Sequence, residues 1–83
     1  MSSSSAQSVC EYVVTQIVDN PDDVAVALSE TDDGIRLDVT VADGDMGRVI
    51  GKRGRVASAI RTVVRAAGHD ADTPTSIEVE FVD

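Results

Sequence analysis

The sequence predicts an α+β fold with the order α-β-β-α-α-β, in which three helices cover one face of a three-stranded mixed sheet. Two segments, 8–18 and 56–67, carry apolar residues at the spacing of an amphipathic helix. Three other segments alternate apolar and polar residues, as half-buried strands do. Helical segments connect the second strand to the third, which permits parallel pairing beside an antiparallel hairpin. The 83 residues are enough for one domain.

The first helix is predicted over Ser8–Val18, where apolar side chains recur three and four residues apart (Val9, Cys10, Val13, Val14, Ile17 and Val18). Proline disfavours helical backbone at the residue before it, so we expect Pro21 to stop this helix near Asp19. The segment 1–7 is rich in serine and is predicted to be a disordered tail. Residues 8–82 are then the single domain.

A β-hairpin is predicted next. Its first strand alternates at Val24, Val26 and Leu28. Its turn is Thr31–Gly34, where an Asp-Gly pair suits backbone that needs positive φ. The second strand directs four apolar side chains inward, at Ile35, Leu37, Val39 and Val41.

Two helices and a strand complete the order. The turn Asp43–Asp45 ends the second strand, and Asp45 is predicted to be the N-cap of a short helix over Met46–Ile50. The next helix presents Val56, Ala59, Ile60, Val63, Val64 and Ala67, with Gly68 just after its end. A loop at 69–75 leads to the last strand, which alternates at Ile77, Val79 and Phe81. The other face of the sheet is left in water by Asp38, Thr40, Glu78 and Glu80.

Charge is sorted along the chain. The formal net charge is −8, which alone argues against a nucleic-acid partner. Between Met46 and Gly68, however, there are six basic and no acidic residues, whereas the rest of the chain has one basic and all fifteen acidic residues. Such sorting is typical of a functional face, and the alternative is a solvated helix surface that is basic by chance. The six are Arg48, Lys52, Arg53, Arg55, Arg61 and Arg65.

The segment Gly51–Gly54 lies between the two helices of this basic region. Two glycines three residues apart remove side chains from a tight turn, so a phosphodiester chain can approach the backbone. Gly54 also precedes a helix, whose first amides favour phosphate. Lys52 and Arg53 supply cations at the tip, and Arg55 supplies one at the start of the helix.

An apolar groove is predicted beside this turn. Its walls are Val49, Ile50, Val56 and Ile60, some of them mainly core residues, together with the edge of the strand Ile35–Val41. Bases turned away from the phosphodiester backbone would lie there. Arg61 and Arg65, one helical turn apart, either extend the nucleic-acid path or face water.

The sequence Val-Ile-Gly-Lys-Arg-Gly-Arg at 49–55, followed by an amphipathic helix, resembles the signature of KH domains, whose GXXG loop clamps about four nucleotides. The element order is similar to the type II KH arrangement. The size of the chain and the segment Asp45–Arg55 resemble the small bacterial KhpA family, and the resemblance covers Ser8–Val82.

This resemblance implies a non-catalytic protein of the cytoplasm that binds single-stranded RNA, as an RNA chaperone or a post-transcriptional regulator. Gly51, Lys52, Arg53 and Gly54 would contact the sugar-phosphate chain, with Arg48, Arg55 and Arg61 nearby. The chain would pair with itself or with a larger Jag-type KH protein. The residues themselves predict no cofactor and no metal, and no apolar run comes near the roughly 18 residues needed to cross a membrane. The loop at 30–34 corresponds to the variable loop beside the groove, and its acidity predicts weak binding.

Other functions have less support in the sequence than RNA binding. The main alternative is a protein-interaction adaptor with a degenerate KH fold. A helix-turn-helix DNA binder would need base-reading Asn or Gln in the second helix, which has neither. His69 with two nearby aspartates is a weak metal motif, and Cys10 is predicted to be a packed thiol rather than a nucleophile.

Overall fold

A computed structural model describes residues 3–68 and 76–82 of the chain. Its helices and strands are α1 (Ser3–Ile17), β1 (Ala25–Glu30), β2 (Gly34–Thr40), α2 (Met46–Ile50), α3 (Arg55–Gly68) and β3 (Ser76–Val82). Short 3-10 turns lie at Pro21–Asp23, Asp43–Asp45 and Lys52–Gly54. The predicted α+β fold and its α-β-β-α-α-β order are confirmed. The predicted loop at 69–75, with His69, lies outside the described residues.

The sheet has the strand order β1-β2-β3. β1 and β2 pair antiparallel as a hairpin, with Val26 opposite Val39. β2 and β3 pair parallel, with Ile35 opposite Ile77. β2 is therefore the central strand and is hydrogen-bonded on both sides. The prediction that the edge of Ile35–Val41 borders the groove is wrong, because β2 is paired on both sides and has no free edge. The free edges of the sheet belong to β1 and β3.

The core lies between the sheet and the helices. All four predicted inward residues of the second strand segment are buried, at Ile35, Leu37, Val39 and Val41. One cluster joins them to buried residues of the three helices and of β3, among them Ala6, Cys10, Val14, Val49, Ile60, Val64, Ile77 and Val79. The opposite alternates face water, so the helices cover one face of the sheet as predicted.

α1 begins at Ser3, five residues before its predicted start. Ala6 is fully buried, and the Nε2 atom of Gln7 donates to the backbone oxygen of Val26 at 2.9 Å. These two contacts order a turn of helix that the serine-rich sequence did not indicate, so the predicted tail over 1–7 is wrong for residues 3–7. Residues 1 and 2 lie outside the described part. No helix within 3–68 or 76–82 combines the length and apolarity needed to cross a membrane.

The buried face of α3 differs from the predicted face. Ala57, Ile60, Val64 and Gly68 are buried, whereas Ala59 and Val63 are exposed. Alanine is common along this helix, so the sequence pattern alone did not distinguish two adjacent faces.

Gly68 is the last residue of α3, not the residue after it. A Cβ atom there would meet the Cδ1 atom of Ile77 and come within 3.0 Å of the Cβ atom of Ala6. Glycine at this position therefore lets α1, α3 and β3 approach one another. The requirement is for space rather than for an unusual φ angle.

Cys10 is a packed thiol, as predicted. Its side chain is fully buried among the core residues of α1. Burial, with a smaller contribution from Glu11, raises the pKa of the Cys10 thiol to about 11. Since the thiolate is the reactive form, this environment keeps the sulfur unreactive near neutral pH.

Candidate nucleic-acid interface

The turn between α2 and α3 has a backbone that requires glycine at its first position. Gly51 has φ 72° and ψ −179°, a region of backbone space used almost solely by glycine. A Cβ atom at Gly51 would also collide with the side chain of Val56. The amide of Gly51 donates to the oxygen of Gly47 at 2.9 Å, and the amide of Gly54 donates to Gly51 at 3.3 Å. The turn is thus tied to the end of α2 and to itself.

Gly54, at the other end of the turn, is open to solvent on its side-chain side. Its φ is 73°, and a Cβ atom there would meet nothing within 4 Å. The 14-residue helix α3 begins at the next residue, so its first amides have no partners inside the helix. An exposed backbone at the start of a helix is the arrangement that accommodates phosphate oxygens.

Three cations surround this open backbone. Lys52, Arg53 and Arg55 are exposed, and none of them forms an ion pair or a side-chain hydrogen bond with another residue in 3–68 or 76–82. Arg53 has φ 57° and ψ 26°, the left-handed region that non-glycine residues rarely occupy. This conformation interrupts the helical backbone between α2 and α3. All three guanidinium or ammonium groups keep their hydrogen-bond donors for a ligand.

Arg48, which was grouped with these cations by sequence, is engaged with the protein. Its Nη2 atom lies 2.8 Å from the Oδ2 atom of Asp19, and its Nε atom lies 3.7 Å from the Oδ1 atom of Asp45. The Arg48 side chain as a whole is about half exposed. Arg48 therefore joins α2 to the segment that follows α1, and its contact with RNA stays a prediction.

Asp45 does not cap α2 as predicted. Its carboxylate forms no capping hydrogen bond and is 1% exposed. Instead it accepts hydrogen bonds from the backbone amides of Asp19 (3.2 Å) and Asn20 (3.0 Å) and from the Nδ2 atom of Asn20 (3.0 Å). Burial alone would raise the pKa of the Asp45 carboxyl, but these bonds and the charge of Arg48 lower it overall.

Arg61 and Arg65 lie along the free edge of β3. The Nε atom of Arg61 donates to the backbone oxygen of Val79 at 3.0 Å, and that of Arg65 donates to Ile77 at 3.1 Å. The guanidinium carbon of Arg61 lies 5.4 Å from the ring centre of Phe81, within the range of a cation–π contact. The two arginines thus cover strand carbonyls, and neither simply faces water.

The predicted apolar wall divides into core residues and rim residues. Val49 is fully buried and Ile60 is 2% exposed, so these two side chains belong to the core and do not border a groove. Ile50 and Val56 are half-buried and remain on the side of the turn. Of the four residues predicted to form this wall, only Ile50 and Val56 therefore remain on the rim of the turn.

Acidic residues lie on the face of the sheet opposite the helices. Glu78 and Glu80 are exposed there, and Asp38 accepts a hydrogen bond from the Nε atom of Arg36 at 2.8 Å. The protein thus separates an acidic sheet face from the basic turn. Within 3–68 and 76–82, no three His, Cys, Asp or Glu side chains come together as a metal site would require.

Comparisons with known proteins place these features in a family. The sequence profile described as KhpA/KhpB, KH domain, matches residues 7–80. A protein named RNA-binding protein KhpA from Bacillus subtilis is 47% identical over 68 residues, which cover 82% of this chain and 84% of the relative. Proteins of the same name from Listeria monocytogenes (45%, covering 81% and 88%) and Streptomyces coelicolor (43%, covering 92% and 96%) are also similar. No solved structure matches the chain.

Proposed function

The chain belongs to the family of KhpA/KhpB KH domains, and from this premise we propose that it binds single-stranded RNA without catalysis, as an RNA chaperone or post-transcriptional regulator of the cytoplasm. The observation that carries the proposal is the open backbone at Gly54, with Lys52, Arg53 and Arg55 exposed around it. The relatives described above are named RNA-binding proteins.

RNA phosphates would lie against the turn. Gly54 leaves room for a phosphate oxygen to reach the backbone, and the amides that follow Arg55 in the first turn of α3 can donate to it, whereas the amide of Arg55 itself donates to Lys52. Lys52, Arg53 and Arg55 would each neutralise part of the phosphate charge. The positive φ angles of Gly51, Arg53 and Gly54 would let the turn receive phosphate without rearrangement.

The strand of RNA would continue along one side of α3 toward Arg61. Gly54, Ser58, Arg61 and Arg65 follow one another at intervals of four, three and four residues, which places them on one stripe of the helix. Arginine has five N–H donors, and the hydrogen bond to Val79 uses the Nε donor of Arg61. The terminal amino groups are left to meet a base or a ribose hydroxyl, while Ile50 and Val56 border the apolar side.

One copy is expected to bind weakly. Three or four phosphate contacts predict a slope of about −2 to −3 for the logarithm of the binding constant against the logarithm of salt concentration. The only aromatic side chains are Tyr12 and Phe81, neither of them in the turn, so base stacking worth about 1–3 kcal/mol per base is missing there. Weak contacts to the RNA backbone suit a chaperone, which must release and rebind many sequences. Pairing with a second copy or with a Jag-type KH protein would raise the avidity.

The test is fluorescence anisotropy with a short single-stranded RNA over a series of salt concentrations. Lys52→Asp together with Arg53→Asp should abolish binding at moderate salt, because two attractive charges become repulsive at the turn. Circular dichroism checks that the fold survives. A matched pair separates local contact from net charge: Arg53→Gln should weaken binding more than Arg36→Gln, which makes the same charge change on the opposite face of the sheet.

Two results would overturn this function. Equal binding by the wild type and the Asp double variant would show that the turn is not the RNA site. No measurable binding by the wild type at low salt would favour the alternative of a protein-interaction adaptor built on a degenerate KH fold.

A further inference from the structure

α2 carries the turn but cannot hold its own position. It has five residues, far fewer than the 12–15 or so at which an isolated helix becomes even marginally stable in water. Val49 is its buried apolar anchor, and Met46 is partly buried. The orientation of so short a helix must therefore be fixed by further contacts with its neighbours.

Those contacts are polar and converge on Asp45, the residue just before α2. Its carboxylate binds three N–H donors of residues 19–20, as described above, and one turn later Arg48 binds the carboxylate of the same Asp19. We call this set, Asp19, Asn20, Asp45 and Arg48, the Asp45 latch. It connects both ends of the first turn of α2 to the segment that follows α1.

We propose that Asp45 is a positioning residue for RNA binding: through the latch it holds α2, and with α2 the Gly51–Gly54 turn, in the geometry that receives phosphate. This inference rests on the proposed function. The carboxylate is buried, so it acts through Asn20 and Arg48 rather than on RNA itself. The amide of Gly51 completes the connection, since it donates to Gly47 of α2.

The proposal makes a prediction opposite to that of simple electrostatics. Removing a negative charge near a site for a polyanion should strengthen binding. Loss of the latch should instead weaken RNA binding. In Asp45→Asn the side chain keeps one acceptor oxygen and directs an NH2 group at the N–H donors of residues 19–20. The sign of the change in affinity therefore distinguishes positioning from charge.

The experiment compares RNA affinity and salt slope for the wild type, Asp45→Asn and Asp43→Asn. Asp43 is exposed and lies two residues away, so Asp43→Asn makes the same charge change outside the latch. Asp45→Asn should bind about tenfold more weakly, as expected when a charge-assisted contact is lost, with a shallower salt slope. Asp43→Asn should bind equally well or slightly better. The amide resonances of Gly51 and Gly54 should shift only in Asp45→Asn.

Two further variants keep the test decisive. If Asp45→Asn does not fold, Asn20→Ala removes a single donor of the latch and should still weaken RNA binding, by about threefold. Ile77→Val removes a methylene group from a buried residue near the start of β3 and should lower stability. It should leave the RNA affinity of the folded protein unchanged, because Ile77 is outside the latch.

The outcomes are separable. A folded Asp45→Asn protein, or Asn20→Ala in its place, that binds RNA as tightly as the wild type would overturn the latch while leaving the RNA site intact. Absence of binding by the wild type would remove the proposed function and this inference together. If Ile77→Val lost as much RNA affinity as Asp45→Asn, general destabilisation rather than positioning would explain the loss.

Discussion

The two ends of α3 use basic residues in different ways. At its start, Lys52, Arg53 and Arg55 surround an open backbone and pair with no residue in the described ranges. Toward its end, Arg61 and Arg65 donate to carbonyls of β3. The first group offers all its donors to a ligand, whereas the second stabilises the contact between a helix and a strand edge. The number of basic residues in a segment of sequence is therefore not the number that is available to a ligand.

The largest expected difference is between Gly68, at the end of α3, and Gly54, just before its start. Substitution of the first should lower stability, and substitution of the second should lower RNA affinity. Gly68→Ala places a methyl group against Ile77 and Ala6, and overpacking of this kind costs about 1–3 kcal/mol of unfolding free energy. For a domain of this size each kcal/mol lowers Tm by about 4–8 °C. The RNA affinity of the folded protein should not change. Thermal unfolding and anisotropy on the same sample measure both effects.

Gly54→Ala should give the reverse result. The added methyl group meets no protein atom, so the cost to folding is the left-handed conformation of alanine, about 1 kcal/mol. The methyl group does occupy the surface proposed for phosphate, and affinity should fall by about tenfold or more when that contact is lost. If Gly54→Ala bound RNA normally, or if Gly68→Ala lost affinity while folded, the contrast between the two ends would not hold.

A smaller effect is expected from arginines at the two ends. Arg55→Gln should leave stability unchanged and should reduce the magnitude of the salt slope by about 0.7, the value for one phosphate contact with a single strand. Arg61→Gln should cost about 0.5–1.5 kcal/mol of stability through the lost hydrogen bond to Val79, with a smaller change in affinity. If Arg55→Gln and Arg61→Gln lost the same amount of RNA affinity and Arg61→Gln kept its stability, both arginines would belong to the RNA site.

The smallest expected effect is a difference in how stability depends on pH, and it concerns Asp45, the partner of the engaged cation Arg48. The folded protein lowers the pKa of this carboxyl, so the unfolded chain binds its proton first as pH falls. The latch should contribute fully to stability above the ordinary Asp pKa of about 3.9 and lose that contribution as pH falls through the lower folded value. Urea denaturation between pH 7 and 3 should show a shallower decline for Asp45→Asn than for Asp43→Asn. Parallel declines would mean that Asp45 is not the carboxyl responsible.

Sequence alone predicted the parts of this fold that depend on local pattern. The alternation at Ile35, Leu37 and Val39 gave the correct inward face, because a strand buried on one face must repeat every two residues. The turn Gly51–Gly54 was also predicted in place, since positive φ and close approach both require glycine. These features need no knowledge of distant residues.

The errors lie where residues far apart in sequence meet. Asp45 has the local signature of a helix cap, but its hydrogen-bond partner Asn20 is 25 residues away. Arg61 resembles any exposed basic helix residue, and the carbonyl that holds it is 18 residues away. A signal was present for the latch: an aspartate followed three residues later by an arginine, beside a strand end. That spacing, however, is as typical of an exposed ion pair as of a buried one.

Side chains also donate hydrogen bonds to backbone carbonyls of the two edge strands of the sheet, β1 and β3. Gln7 binds the carbonyl of Val26 on β1, and Arg61 and Arg65 bind those of Val79 and Ile77 on β3. Unpaired strand margins are where separate chains join into aggregates and fibrils. An incoming chain would first have to displace these side chains before its own strand could pair with an edge of the sheet. Side chains of two different helices, α1 and α3, thus protect the two edges of the sheet against pairing with another chain.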